Sequence, residues 1–230
     1  MKKVLFVTVT ILIMIILMNF FTAEADIISQ LTGKVYYSKR DGETLKLYSA
    51  NADFTNKKPI YAHRGESNNN IVDFYYDKES ELIYFVAMRN KQWSLFSIDE
   101  DELSPEYVKT FDKGNWKDIL KHYVQVEYNN MKLLNKKGSL YLVKNGEEQL
   151  LKKFIGIHDS KFNSGHVPKG FSPDGKYIIY HSTEHLTPLG TLIEGFFDRD
   201  YSMGQYYIMD LETKEVERYP SFHALQWVAE

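Results

Sequence analysis

The pentapeptide His181-Ser182-Thr183-Glu184-His185 spells H-x-x-E-H, the inverted zinc-protease pattern. That chemistry needs a helix. One helical face brings both imidazoles to the zinc and sets the glutamate beside the metal-bound water. Here the first histidine closes a run of Tyr and Ile, and Pro188 and Gly190 follow closely. The composition is that of a strand leaving for a loop, so no metal site is expected.

The segment that begins there, Thr183 to Gly204, reads as an insertion. It carries Glu184, His185, Glu194, Phe196, Phe197, Asp198, Arg199, Asp200 and Tyr201. Acidic groups beside exposed aromatics suit a sugar, a peptide or a cation, and long insertions at the ends of strands often carry recognition. Glu184, His185, Phe196, Phe197, Asp198, Arg199, Asp200 and Tyr201 are therefore the expected ligand-binding residues. The alternative is a hairpin that lengthens two strands and packs its aromatics locally. Asp99-Glu100-Asp101-Glu102 lacks the alternating oxygen ligands and the glycine of a calcium loop, and reads as a solvated hairpin turn. The other histidines show no ligand spacing. No phosphate-binding loop or nucleophile elbow is present, so no catalytic residue, cofactor or metal is assigned.

The elements that position these residues are strands. Four stretches look alike: Thr44 to Ala50, Gln92 to Asp99, Gly138 to Lys144 and Gln205 to Leu211. Each is preceded by a second strand-like run: Gly33 to Ser38, Glu81 to Val86, Tyr123 to Tyr128 and Lys176 to His181. Shorter runs follow at Pro59 to Tyr61, Tyr107 to Lys109, Gln149 to Leu151 and Glu215 to Glu217. The first three units recur about every 46 residues, the spacing of a propeller blade. The fourth is lengthened by the insertion. Stacked sheets cover one another's faces, so a middle strand such as Tyr177-Ile178-Ile179-Tyr180 needs no polar alternation. The first unit lacks its opening strand, and Ala224 to Val228 resembles an opening strand with nothing after it. The tail is expected beside the first unit, which would join the ends and remove exposed edges. Counting gives about four four-stranded antiparallel blades, with a five-bladed ring or an open stack as alternatives. A short helix is allowed at 112–122.

Gly170-Phe171-Ser172-Pro173-Asp174-Gly175-Lys176, its apolar run, and then Asp210-Leu211-Glu212-Thr213-Lys214 resemble the TolB-like (WD40-like) propeller repeat. The likeness is good over 168–219, weaker at 71–111, and weak in the first and third units. It implies a propeller whose relatives commonly work in extracytoplasmic binding and assembly. It brings no catalytic residues.

The amino terminus bears on location. Lys2 and Lys3 precede an apolar run from Val4 to Phe21, and Ala23-Glu24-Ala25 fits a small-x-small cleavage site before Asp26. At about 1.5 Å per helical residue the run spans roughly 27 Å, close to a bilayer core of about 30 Å. Residues 1–25 are thus either a cleaved signal peptide or a signal-anchor. Both leave 26–230 as an extracytoplasmic domain, by the positive-inside rule. The chain has no cysteine, hence no disulfide and no lipid-modified cysteine. Its 28 Lys and Arg are scattered among 31 Asp and Glu. A nucleic-acid partner needs clustered cations and is not expected. The reading is an all-β, non-catalytic module that binds a protein or cell-envelope component. Membrane contact is made only through residues 4–21 if uncleaved. The competing reading is a hydrolase or lyase with its site at the central mouth, drawing acids from several blades (Asp73, Asp174, Asp198).

Overall fold

The computed structural model describes residues 26–41, 44–62, 73–112, 126–155, 165–184 and 204–229. Residues 1–25, which hold the expected signal or anchor, and residues 113–122 of the expected short helix lie outside these. Among the described residues, no helix is long and apolar enough to cross a membrane. Apart from one 3-10 turn at Ile28–Gln30, the regular elements are strands.

Sixteen strands form four antiparallel sheets of four. Sheet 1 holds β1 (Lys34–Asp41), β2 (Thr44–Asn51) and β3 (Lys58–Ala62). Sheet 2 runs β4 (Asp73–Asp77), β5 (Leu82–Arg89), β6 (Gln92–Ile98), β7 (Glu106–Thr110). Sheet 3 runs β8 (Glu127–Tyr128), β9 (Met131–Lys136), β10 (Ser139–Lys144), β11 (Glu147–Lys152). Sheet 4 runs β12 (His166–Phe171), β13 (Tyr177–Ser182), β14 (Gln205–Asp210), β15 (Val216–Tyr219). The fourth strand of sheet 1 is the chain's last, β16 (Ala224–Val228), which pairs antiparallel with β1 from Lys34↔Val228 to Ser38↔Ala224. The expected closure of the tail onto the first unit is therefore present.

The middle strands β1 and β13 are buried on both faces, as their unbroken apolar runs require. In β13, Ile178 and Tyr180 enter the core between sheets 3 and 4, while Ile179 enters the core between sheets 4 and 1. In β1, Tyr36 faces sheet 2, and Val35 and Tyr37 face sheet 4. Among the described residues, these cores join sheets 2 and 1, 1 and 4, and 4 and 3; none of the three joins sheet 2 to sheet 3. Sheet 2's other face carries a smaller cluster around Val86 and Leu95, with Tyr75, Tyr84, Trp93 and Phe111 against it.

The Ser-Pro-Asp-Gly turn is built from its own side chains. The Ser172 hydroxyl donates to Asp174 Oδ1 (2.6 Å) and accepts the Tyr177 N–H (2.9 Å), while the Lys176 N–H reaches the same carboxylate oxygen (3.1 Å). The motif reverses β12 into the buried β13, as expected.

Two expectations are corrected. In sheet 3, the described part of the run from Tyr123 to Tyr128 supplies the two-residue edge strand β8, and the second strand is Met131–Lys136. That strand alternates one buried leucine with lysines (Leu133 inward, Lys132 outward), so it lacks the dense apolar signature of its counterparts. The acidic run at 99–102 is not wholly solvated. Asp99 caps the turn by accepting the Asp101 and Glu102 N–H groups (2.7 and 3.2 Å). Glu100 turns inward, its side chain 17% exposed, onto Lys34, Tyr36 and Ser49 of sheet 1. A run of like charges reads as a solvated face only until a partner sheet supplies a cation and two hydroxyls.

Candidate functional site

The second and third strands of each sheet are joined at one end of the sheets. In sheets 1, 2 and 3 the joint is two residues long: 42–43, Asn90-Lys91 and Lys137-Gly138. The latter two adopt positive φ at both positions (50° and 63°, 50° and 83°), the twist a tight hairpin demands. In sheet 4, Ser182 pairs with Gln205 at the corresponding place, and residues 183–204 intervene. Antiparallel pairing puts the last residues of β3, β7 and β11 at this same end. The expected insertion therefore departs where three sibling sheets close tightly.

Of the eight residues assigned to binding, Glu184 is placed by the structure; His185 and 196–201 lie outside the described residues. Glu184 is rooted, not free. Its Oε1 accepts the Ile155 N–H (3.2 Å), its own N–H donates to Ser182 Oγ (3.1 Å), and its Oε2 lies 3.8 Å from His166 Nε2. The neighbouring Thr183 exchanges bonds with Gly165: Gly165 N–H to Thr183 Oγ1 (2.7 Å), and Thr183 N–H to Gly165 O (3.2 Å). A side chain at Gly165 would sit 2.3 Å from Gly138 Cα, so glycine is needed for the β9–β10 hairpin to pack on this root. On the return limb, a Cβ at Gly204 would meet the His181 ring at 2.0 Å.

Under the root lies His166, fully buried at the start of β12. Its Nδ1 is 2.9 Å from Ser182 Oγ and its Nε2 is 3.4 Å from the Lys153 carbonyl. Phe154 and Tyr180 each meet the ring edge to face, 5.6 Å between centroids. Burial pushes the imidazole below its usual range, and Glu184 opposes that only in part. Sequence reasoning passed over His166 because it sits in a run with no ligand spacing; its only signal was being a histidine at a strand's first residue.

Ser182, His166 and Glu184 share the residue types of a nucleophile–base–acid triad. Their geometry does not serve that chemistry. The serine is 2% exposed, and it accepts the Glu184 N–H while facing Nδ1. No open position lies beside Oγ for a reacting carbon. The arrangement is a buried polar joint that ties sheet 3's exit, β12, β13 and the insertion root together. Of the zinc pattern's two histidines, His181 lies on strand β13, not on a helix, and His185 lies outside the described residues. Of the acids proposed for a central site, Asp174 is held in its own turn, and burial is outweighed there by Ser172 and Lys176, which lower its pKa. Asp198 and the Asp73 side chain lie outside what is described.

At the opposite end of the sheets, Thr32, Gly33, Pro173, Asp174, Tyr177 and Trp227 line a cleft of about 330 Å³ between sheets 1 and 4. Its indole is committed: Trp227 is 2% exposed and donates Nε1–H to Thr32 O (2.9 Å).

No family model and no curated protein matches the chain. Solved structures similar to it include TolB from Acinetobacter baumannii, 18% identical over 84% of this chain and 43% of that one, TM-score 0.32. An oligogalacturonate lyase in complex with manganese is 15% identical over 59% of this chain and 37% of that one, TM-score 0.27. The oligogalacturonate lyase of Vibrio parahaemolyticus is 12% identical over 78% of this chain and 49% of that one, TM-score 0.25. The chain spans less than half the length of these three. The all-β, propeller-like assignment rests on the four-sheet topology itself.

Proposed function

We propose that the chain is an extracytoplasmic, non-catalytic binding module that recognises a protein or cell-envelope component through the insertion between β13 and β14. One observation carries the reading: three of four equivalent hairpins close in two residues, while the fourth extends over 183–204 from a root anchored by Glu184, Thr183 and Gly165. A sheet that needs only a hairpin gains nothing for stability from such a segment, whereas a rigid root with a long excursion is how scaffolds present recognition surfaces. The acids and aromatics of the segment (His185, Phe196, Phe197, Asp198, Arg199, Asp200, Tyr201) supply the contacts. Export is inferred from Lys2, Lys3, the apolar run from Val4 to Phe21 and the Ala23–Ala25 site.

The test compares the full chain with a variant in which 185–203 are replaced by Asn-Gly. The sibling hairpins indicate that the sheet tolerates this closure. Both are used to capture partners from detergent-solubilised envelope. Loss of specific partners from the variant is expected; equal recovery by both forms sinks the role of the insertion.

A further inference from the structure

Among the described residues, the polar neighbours of His166 specify one protonation state. Ser182 Oγ already accepts the Glu184 N–H, so its hydroxyl proton is directed at His166 Nδ1. Nδ1 is then the acceptor, and Nε2–H points toward the Lys153 carbonyl and Glu184 Oε2. A second proton has to enter at Nδ1. Ser182 Oγ would then accept from both Nδ1–H and the Glu184 N–H with its two lone pairs, and its own O–H would lose its acceptor. Ser182 is buried, and the described structure offers its hydroxyl no other acceptor. A buried polar hydrogen without a partner is costly.

The groups around the ring are few. From the end of β11 come the Lys152 charge, the Lys153 carbonyl and Phe154; from β13, Tyr180 and Ser182; from the insertion root, Glu184. From β9, Asn135 Nδ2 donates to the His166 carbonyl (2.7 Å) and leaves the ring alone. Among the described residues, the buried Tyr180 hydroxyl has no hydrogen-bond partner and is not directed at the ring nitrogens. Glu184, from 3.8 Å and partly exposed, and the Lys153 carbonyl favour the cation, and burial outweighs both.

We propose that His166 is a proton-operated catch: taking a second proton, it strands the buried Ser182 hydroxyl proton, weakens the Ser182–Glu184 turn and so loosens the root of the insertion. The regulatory sense of the catch rests on the binding role proposed above; its response to pH does not. The sign follows from burial. The folded imidazole is held below its unfolded value of about 6.5. The turn is therefore intact above that value and weakens as pH falls beneath it, until the folded value is passed.

Amide hydrogen exchange on the full chain between pH 7.5 and 4.5, corrected for intrinsic rates, tests this without any ligand. Protection of the Ile155, Gly165, Thr183 and Glu184 amides is expected to fall by about tenfold per pH unit within the window, the slope of one proton, while amides of β1 and β2 hold. His166→Gln abolishes the dependence. Glu184→Gln, which keeps an acceptor for Ile155, leaves the onset in place but lowers the folded value, so the fall continues to lower pH before it levels off. A flat wild-type profile, or a parallel fall in His166→Gln, overturns the proposal. Should His166→Gln fail to fold, a fall that levels off at the same pH in Glu184→Gln as in the wild type overturns it equally. Neither result depends on whether the insertion captures a partner.

Discussion

Two buried joints sit at opposite ends of the sheets, and they are built on opposite electrostatic plans. Between sheets 1 and 2, the Glu100 carboxylate meets the Lys34 ammonium, the Tyr36 hydroxyl (3.0 Å) and the Ser49 hydroxyl (2.6 Å). At the insertion root, His166 is surrounded by rings, a carbonyl and a hydroxyl that already points its proton inward. The first joint is satisfied when charged, the second when neutral. The lesson is that a buried ionisable group is fixed by the donors around it, not by its own type. One end of this molecule is thereby set to hold, and the other to yield.

The largest expected effect comes from removing the charge at the holding end. Glu100→Ala leaves two hydroxyls and an ammonium without their shared acceptor. A loss of about 2–3 kcal/mol is expected in urea unfolding, since hydrogen bonds to charged groups exceed neutral ones. A double-mutant cycle with Ser49→Ala should be clearly non-additive, because both act on one network. Additive losses would show that the carboxylate works through packing alone.

Acid separates the joints. Burial pushes Glu100 up, but Lys34, Ser49 and Tyr36 outweigh it and hold the carboxyl below its usual range. Its contribution is present at and above the unfolded carboxyl value of about 4.3, and is lost as pH falls through the lower folded value. His166 yields first, beginning near pH 6.5. Unfolding free energy followed from pH 8 to 3 should therefore decline in two stages. The upper stage is limited to about 1.4 kcal/mol per pH unit, and is missing in His166→Gln. The lower stage shrinks in Glu100→Gln. A single decline shared by both variants would erase the distinction between the two ends.

How far these joints were legible in the sequence differs in the same way. Repeat spacing, the tail strand and the insertion follow from local patterns, because apolar runs and turn residues announce themselves over a few positions. Glu100 was legible only as one acid among four, since Lys34, Tyr36 and Ser49 come from another sheet. His166 and Ser182 are sixteen residues apart, on neighbouring strands. The β12–β13 register that brings them together shifts between Pro168 and Gly170, which no local pattern foretells. Strand β9 escaped notice because its one buried face is carried largely by Leu133.

Two buried tyrosines sharpen the rule about donors and close the series with smaller effects. Tyr219 donates its hydroxyl to the Ala52 carbonyl (2.9 Å), tying sheet 4 to sheet 1. Tyr219→Phe keeps the ring packing against Phe54 and Phe222 but leaves that carbonyl unpaired, so about 1–2 kcal/mol should be lost. Tyr180 is equally buried, beside His166, yet its hydroxyl has no partner. Tyr180→Phe removes a desolvated polar group and preserves the ring's contacts with His166 and Tyr207. Its effect on urea unfolding at pH 7.5 should lie between about zero and 1 kcal/mol of added stability. A loss as large as that of Tyr219→Phe would mean that the Tyr180 hydroxyl is part of the joint, and that the neutral histidine has a further donor to answer to.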